Sequence, residues 1–122
     1  MKNIELAVEI PVLISDHDLD EILFTALNAG GVAEWADRVV AVGGKLGERI
    51  CEQISKGGTL SIHERTGEWQ ELTIWKLIDG IEMYLRESCH IRIEDGRMLV
   101  EDLSIVDADT IVQFALFGEV KW

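Results

Sequence analysis

The sequence lacks the features that mark several specialised classes of protein. Its 122 residues include one proline and two cysteines, and no apolar run approaches the ~20 residues that a membrane helix needs. Cys51 and Cys89 have no metal-motif or disulfide-scaffold spacing and suit a reducing compartment. A basic region followed by an apolar core is missing near Met1, so we expect no secretory signal. These absences predict one cytoplasmic domain spanning residues 1–122.

Positive charge is also scarce. Eleven Lys and Arg stand against 23 Asp and Glu, which gives a formal net charge of −12. Such a surface repels nucleic acid and anionic membranes, so we expect neither as a direct partner. The same charge is compatible with solubility alone, with a basic protein partner, or with mimicry of nucleic acid.

Motifs for catalysis and for metal binding are absent. The three histidines lack the spacing of a zinc motif, no serine lies in a GxSxG elbow, and acidic residues are too numerous for any pair to stand out. Three glycine pairs offer backbone amides, but none forms a P-loop or a GxGxxG segment after a strand: Gly30-Gly31, Gly43-Gly44 and Gly57-Gly58. We therefore expect no metal, no cofactor and no enzymatic activity.

Residues 57–85 carry the clearest structural pattern. Residues 59–64 and 69–72 alternate like two strands, and Gly67 lies in the turn between them. Thr73 is placed to cap a helix whose apolar positions recur at helical spacing: Ile74, Leu77, Ile78, Ile81 and Leu85. Gly80 lies inside this helix, where it costs about 1 kcal/mol relative to Ala. That cost predicts that another backbone packs closely against it.

The remaining segments complete an α+β pattern. We predict strands at residues 3–14, 38–42, 89–93, 98–103 and 120–122. We predict helices that begin at Ser15 or Asp16, at residue 32, at residue 45 and at an Asp107 cap, with Gly118 ending the last. The expected fold is a small antiparallel sheet of three to five strands with about three or four helices packed on it.

Four tryptophans exceed what a core of this size usually holds. Trp69 falls on the polar face of its strand, and Trp75 lies one position off the apolar stripe of its helix. An exposed Trp often marks a binding surface, where its ring stacks on a base or anchors a partner. A Trp that covers the edge of the core or a dimer seam is an equally open interpretation.

Several segments together match a family pattern. They are Ala26-Leu27-Asn28-Ala29-Gly30-Gly31 with Trp35, Gly57-Gly58-Thr59-Leu60-Ser61-Ile62-His63-Glu64, Leu72-Thr73-Ile74-Trp75-Lys76-Leu77-Ile78-Asp79-Gly80-Ile81, and Asp107-Ala108-Asp109 followed by Ile111-Val112-Gln113-Phe114-Ala115-Leu116-Phe117-Gly118-Glu119-Val120. This pattern resembles a family of small phage and prophage proteins, and it spans roughly residues 19 to 120. The family pattern continues into an apolar strand where this chain has Lys121-Trp122. The resemblance implies a phage-encoded protein made in the host bacterial cytoplasm, and it implies no established activity.

By its context, the resemblance favours an anti-defence protein that acts by binding. The first hypothesis is a sponge, a homo-oligomer that sequesters a nucleotide-derived immune signal without cleaving it. Its predicted ligand-binding residues combine amides, cations and aromatic rings: Gly30, Gly31, Trp35, Arg38, His63, Arg65 and Trp69. The alternatives are an acidic inhibitor that binds a basic defence protein such as a CRISPR effector, and a non-catalytic phage assembly or regulatory protein.

Overall fold

The computed structural model describes residues 11–87 and 93–122, which form an α+β fold, as predicted. The helices are α1 (Asp16–Ala26), α2 (Ile74–Glu87) and α3 (Ile105–Phe117). The strands are β1 (Ala36–Ala41), β2 (Leu60–Glu64), β3 (Trp69–Leu72), β4 (Ile93–Glu94) and β5 (Arg97–Met98). Short 3₁₀ helices lie at Val32–Glu34, Ile50–Glu52 and Val100–Asp102. Most of the predicted strand at residues 3–14 and the segment around Cys89 lie outside the described residues.

The larger sheet has the order β1-β2-β3 and is antiparallel throughout. Its inner face is mainly apolar, with Leu60, Ile62 and Leu72 fully buried there. The helices contribute the other side of the core, with Leu23 of α1 and Ile111 of α3 among its buried residues. The strands predicted at residues 59–64 and 69–72 are confirmed within one residue.

The smaller sheet pairs β4 with β5, and it is tied to α1 by an ion pair. One guanidinium nitrogen of Arg97 donates to both carboxylate oxygens of Asp18, at 3.1 Å each. Asp18 is buried, and it also completes the capping box of α1 with Ser15. Burial raises the pKa of Asp18, but the hydrogen bonds from Ser15 and Arg97 outweigh it and leave the pKa lowered.

The helix predicted at residues 45–55 is wrong. This stretch is made of turns with one 3₁₀ helix, Ile50–Glu52. Side chains satisfy the backbone in place of a helical ladder. Gln53 accepts from the Leu46 N–H, and Glu52 accepts from the N–H groups of Glu48 and Arg49. Such local bonds compete with helix formation, and an apolar residue at every fourth position does not reveal them.

Helices α2 and α3 pack against each other at Gly80. A Cβ built on Gly80 would lie 2.6 Å from the Ile111 carbonyl oxygen and 2.8 Å from the backbone nitrogen of Ala115. The close backbone approach that the sequence predicts is therefore confirmed, and its partner is α3.

Helix α3 begins one turn earlier than predicted. Its N-cap is Ser104, whose hydroxyl accepts from the Asp107 N–H, and Asp107 occupies the N3 position of a capping box. The predicted Asp107 cap is therefore wrong. An acidic residue suits N3 as well as the N-cap, because both positions lie at the positive end of the helix dipole. Gly118 ends the helix with φ 71°, as predicted.

We expect the Ser104→Ala variant to lose about 1 kcal/mol of unfolding free energy, since the capping hydroxyl is removed. Chemical denaturation followed by circular dichroism measures this loss. Thr110→Ala is a matched control on the same helix, because the Thr110 hydroxyl bonds only to the Val106 carbonyl within the helix. An equal loss in the two variants would contradict the cap assignment.

Residues 120–122 form no strand, so that prediction is also wrong. This docked segment (residues 120–122) returns along α3, where Gln113 Oε1 accepts the N–H groups of Lys121 and Trp122 at 2.9 and 2.8 Å. A side-chain amide thus replaces the sheet partner that the apolar pattern suggested. In the part of the chain that the structure describes, no helix has the length and apolarity to cross a membrane.

Candidate functional site

The outer face of the larger sheet aligns three of the predicted site residues. Arg38 of β1 pairs with His63 of β2, and His63 pairs with Trp69 of β3. Directly opposite residues of neighbouring strands share a face, so the three side chains form one row across the sheet. We call this set the Arg38–His63–Trp69 row.

The side chains of this row contact one another. The Arg38 guanidinium lies 4.9 Å from the centre of the Trp69 ring, within range of a cation–π interaction. The His63 and Trp69 ring centroids are 4.6 Å apart, at an interplanar angle of 54°. Trp69 keeps 46% of its surface exposed. The row thus combines an accessible indole with two nitrogen-bearing side chains that can donate to an anion.

Asp37 is a fourth member of this surface, and the sequence analysis missed it. The β1–β2 register shifts between Ala36 and Arg38, which is a bulge at Asp37. His63 Nδ1 lies 2.6 Å from Asp37 Oδ1. The hydrogen bond from His63 lowers the pKa of Asp37, and the nearby Arg38 charge adds to this effect. Because Asp37 holds Nδ1, Nε2 is the His63 nitrogen left to contact a ligand.

The same outer face continues into exposed apolar residues. Val40 and Val42 are 47% and 48% exposed, and they follow Arg38 at alternate positions along the chain. No other described element covers this face of β1. The open surface is therefore polar and aromatic at one end and aliphatic at the other.

Trp35 lies in the core, away from the row. It is 4% exposed, its ring stacks parallel to Trp122 at 6.4 Å, and Phe117 meets it edge-on. Its Nε1 donates to Asp109 Oδ1 at 2.8 Å. Burial raises the pKa of Asp109, and the hydrogen bonds from Trp35 and Gln113 only partly offset it. In this arrangement the docked segment covers a ring that the sequence analysis placed among the ligand-binding residues.

The Gly30-Gly31 pair contacts the start of α3. A Cβ on Gly31 would lie 2.4 Å from the Ala26 carbonyl oxygen and 3.0 Å from the Ile105 side chain. The Gly31 N–H donates to the Asn28 carbonyl. These contacts explain why Gly is needed at position 31 by packing, and they place the pair apart from the sheet row.

Arg65 is committed to the backbone of the first 3₁₀ helix. Its Nη2 donates to the Ala33 carbonyl at 2.7 Å, and its Nε donates to the Glu34 carbonyl at 3.3 Å. The structure thus brings Arg38, His63 and Trp69 together and places Gly30, Gly31, Trp35 and Arg65 elsewhere.

A second charged site contains a fully buried carboxylate, that of Glu64. The Glu64 side chain is 0% exposed, and its carboxylate accepts from Lys121 Nζ and from Gln70 Nε2, each at 2.9 Å. Burial raises the pKa of Glu64, but the bonds from Gln70, Lys121 and Trp122 outweigh it, so the pKa lies below its usual range. This ion pair anchors the docked segment to β2.

The remaining candidates form no constellation. Among residues 11–87 and 93–122, no group of three or more His, Cys, Asp or Glu side chains could hold a metal ion. His17 is exposed beside Glu21, and Cys51 is buried. A groove of about 730 Å³ lies between α2 and the smaller sheet, lined mainly by apolar side chains such as Ile78 and Leu85, and it contains none of the predicted site residues.

Comparison of the chain with protein-family models, curated proteins and solved structures finds no match. The function must therefore be argued from the geometry of the molecule.

Proposed function

We propose that this protein acts by binding, without catalysis, and that its ligand is a nucleotide-type molecule held on the outer face of the larger sheet. The observation that carries the proposal is the convergence of an accessible indole, a guanidinium and an imidazole in the Arg38–His63–Trp69 row. These groups match the two halves of a nucleotide, a flat base and an anionic phosphate.

Each residue has a distinct role in this proposal. Trp69 stacks on the base, which contributes about 1–3 kcal/mol per base in comparable sites. Arg38 donates hydrogen bonds to phosphate oxygens. His63 Nδ1 donates to Asp37, so Nε2 donates to a phosphate oxygen in the form of the ring that carries both protons. Asp37 fixes the orientation of the His63 ring through the 2.6 Å contact at Nδ1. The ring contacts already hold Arg38 and His63 beside Trp69, so little side-chain freedom is lost on binding.

The proposed biological setting is phage anti-defence. The resemblance to small phage proteins supports a role in anti-defence, in which a stoichiometric complex removes a nucleotide immune signal from the host. Sequestration requires no catalytic group, and the ligand is released chemically unchanged.

Isothermal titration calorimetry with cyclic di-AMP, cyclic ADP-ribose and ATP tests this proposal. We expect at least one probe to bind, and we expect Trp69→Ala to weaken it about tenfold or more, because ~1.4 kcal/mol of lost stacking corresponds to a factor of ten. Arg38→Gln should weaken binding of the same probe. Inorganic pyrophosphate, which has no base to stack on Trp69, should compete poorly with that probe. Bound probe released by heating should be chemically intact.

The matched control is Trp75→Ala, since Trp75 is 75% exposed on α2 and lies outside the row. This variant should bind the probe as the unchanged protein does. An equal loss in Trp75→Ala and Trp69→Ala would contradict the assigned site. Release of a cleaved probe would contradict binding without catalysis.

One observation favours a second candidate, an acidic inhibitor of a basic defence protein. The cationic side chains are largely engaged within the chain, as with Arg97 on Asp18 and Lys121 on Glu64, so carboxylates dominate the outer surface. Such a complex should weaken steeply as salt rises, because exposed charges more than about 10 Å apart are screened at 0.1 M salt. Trp69→Ala should then leave binding to the basic partner nearly unchanged.

A further inference from the structure

Among the described residues, strand β1 pairs only with β2, so it is an edge strand of the larger sheet and its outer backbone groups point away from that sheet. The Val42 N–H donates to the Thr59 carbonyl at 3.0 Å, and Val40 pairs with Ser61 two residues along. Because hydrogen-bonding direction alternates along a strand, the N–H and C=O groups of Val39 and of Ala41 face the open side. The Ala41 carbonyl accepts from the Gly44 N–H at 3.2 Å and has a second lone pair for a further donor. These groups can form another antiparallel ladder.

In the part of the chain that the structure describes, the edge protection of β1 is confined to its start, where the bulge at Asp37 and the charge of Arg38 lie. Between Arg38 and Ala41 the strand contains no proline, no lysine and no bulge, since the register shift lies at its start. Its outward side chains include Val40, which is about half exposed. Natural sheets that remain unpaired generally block their edges with such devices.

The β1 edge and the opposite β3 edge of the sheet differ in charge. Strand β1 carries one acidic and one basic residue, Asp37 and Arg38, and is locally neutral. The β3 edge carries Glu71, with Glu68 just before it. Two copies of a chain with net charge −12 repel each other over most of their surface. They meet without local repulsion where β1 faces β1.

We propose that two copies of this chain form a two-fold dimer by antiparallel pairing of β1 with β1. The commitment to a second copy rests on this local neutrality together with the self-complementarity of an antiparallel edge, which supplies the same donors and acceptors to both partners. The favoured register is centred on Val40, so that each Val39 pairs with Ala41 of the partner subunit. This register places Val40 directly opposite its own copy and removes both from water.

The pairing joins two three-stranded sheets into one sheet of six strands. Each Arg38–His63–Trp69 row then lies on the same face of that sheet, one on each side of the two-fold axis. Strand pairing alone forms a small interface, so association is weak and depends on concentration. The dimer does not require a ligand and stands independently of the proposed function.

Sedimentation equilibrium over a wide concentration range, without ligand, tests the dimer. The expected mass rises from that of one 13.7 kDa chain towards twice that value. Val40→Lys should remain monomeric at every concentration, because it places two like charges opposite each other. Val106→Lys is the matched control, since Val106 is 68% exposed on α3 and away from the edge, and it should associate as the unchanged protein does.

Cysteine cross-linking tests the register with a variant that keeps the edge uncharged. In a background with Cys51 and Cys89 replaced by Ala, Val40→Cys should form a disulfide-linked dimer on mild oxidation, because directly opposite strand positions lie within disulfide reach. Val106→Cys should form much less. An unchanged protein that stays monomeric at all concentrations, or equal cross-linking at the two positions, would overturn the proposal.

Discussion

The Lys121→Met variant is expected to lose about 2 kcal/mol of unfolding free energy, although Lys121 itself is only partly buried. Breaking a fully buried ion pair by removing one partner costs about 3–5 kcal/mol, because the remaining charge stays buried without compensation. Lys121 is 40% exposed while Glu64 is 0% exposed, so water screens part of the attraction and reduces the expected loss. Urea denaturation at neutral pH measures it.

The pH dependence of stability should reverse in this variant. In the unchanged protein the pKa of Glu64 is below its usual range, so the unfolded state binds the proton more tightly. The stabilisation is therefore complete above the unfolded pKa of about 4.3 and is lost as pH falls through the lower folded pKa. Without Lys121, burial dominates and raises the folded pKa. The unfolding free energy of the variant, relative to that of the unchanged protein, should therefore increase as pH falls towards 4.

A double-mutant cycle separates the pair from its surroundings. Glu64→Gln alone should cost only about 1 kcal/mol, since the neutral amide keeps a hydrogen-bonding group and the freed Lys121 can reach water. The double variant Glu64→Gln with Lys121→Met should be more stable than Lys121→Met. If the three variants lost equal stability and kept the same pH profile, the buried charge would not be the cause.

The second large effect is expected at Gly80, where the substitution should act against its usual sign. Gly→Ala inside a helix normally stabilises by about 1 kcal/mol. At Gly80 the added Cβ meets a carbonyl oxygen and a backbone nitrogen of α3, which cannot rotate away as a flexible side chain can. We expect a net loss of about 2 kcal/mol for Gly80→Ala and a larger loss for Gly80→Leu.

Asp79→Ala is the matched control for Gly80, since Asp79 is the preceding residue and is exposed. It should change stability by no more than about 0.5 kcal/mol. Thermal unfolding monitored by circular dichroism compares the three variants. A stabilised Gly80→Ala variant would mean that α2 and α3 do not approach each other as the structure describes.

Local patterns predict much of this fold. The strands of residues 57–72, the cap of α1 and the end of α3 are all encoded within a few residues of where they occur, by alternation, by Ser15 and by Gly118. Gly80 is also recognisable, because a glycine inside a strong apolar stripe requires a packing reason. The partner that it meets is not recognisable, since Ile111 and Ala115 come from a distant helix.

Two of the failed predictions share a physical cause, which is a polar side chain that replaces a backbone partner. Gln53 and Glu52 fold the predicted helix at residues 45–55 into turns, and Gln113 holds the docked segment in place of a strand. Glu64 is a further polar side chain whose partner is distant in the sequence. Strand alternation places it on the face of Leu60 and Ile62, but nothing local identifies Lys121 as its counter-ion.

The sequence predicts the candidate site only in part, for the same reason. Arg38, His63 and Trp69 are identifiable as chemical types, but only the register of three strands brings them into one row. Trp35 has the same indole ring as Trp69, but it is buried under Trp122. The sequence does not reveal this difference, because side-chain burial depends on tertiary packing.

The four tryptophans differ in burial, so intrinsic tryptophan fluorescence can report on separate parts of the molecule. Trp75 is 75% exposed, Trp69 and Trp122 are about half exposed, and Trp35 is buried against Trp122. Indole emission moves to longer wavelengths as water reaches the ring, so the buried Trp35 should emit at shorter wavelengths than the exposed Trp75. A ligand on the outer sheet face would alter the emission of Trp69, whereas release of the docked segment would shift that of Trp35. Fluorescence of single-tryptophan variants can therefore distinguish surface binding from opening of the core without any added label.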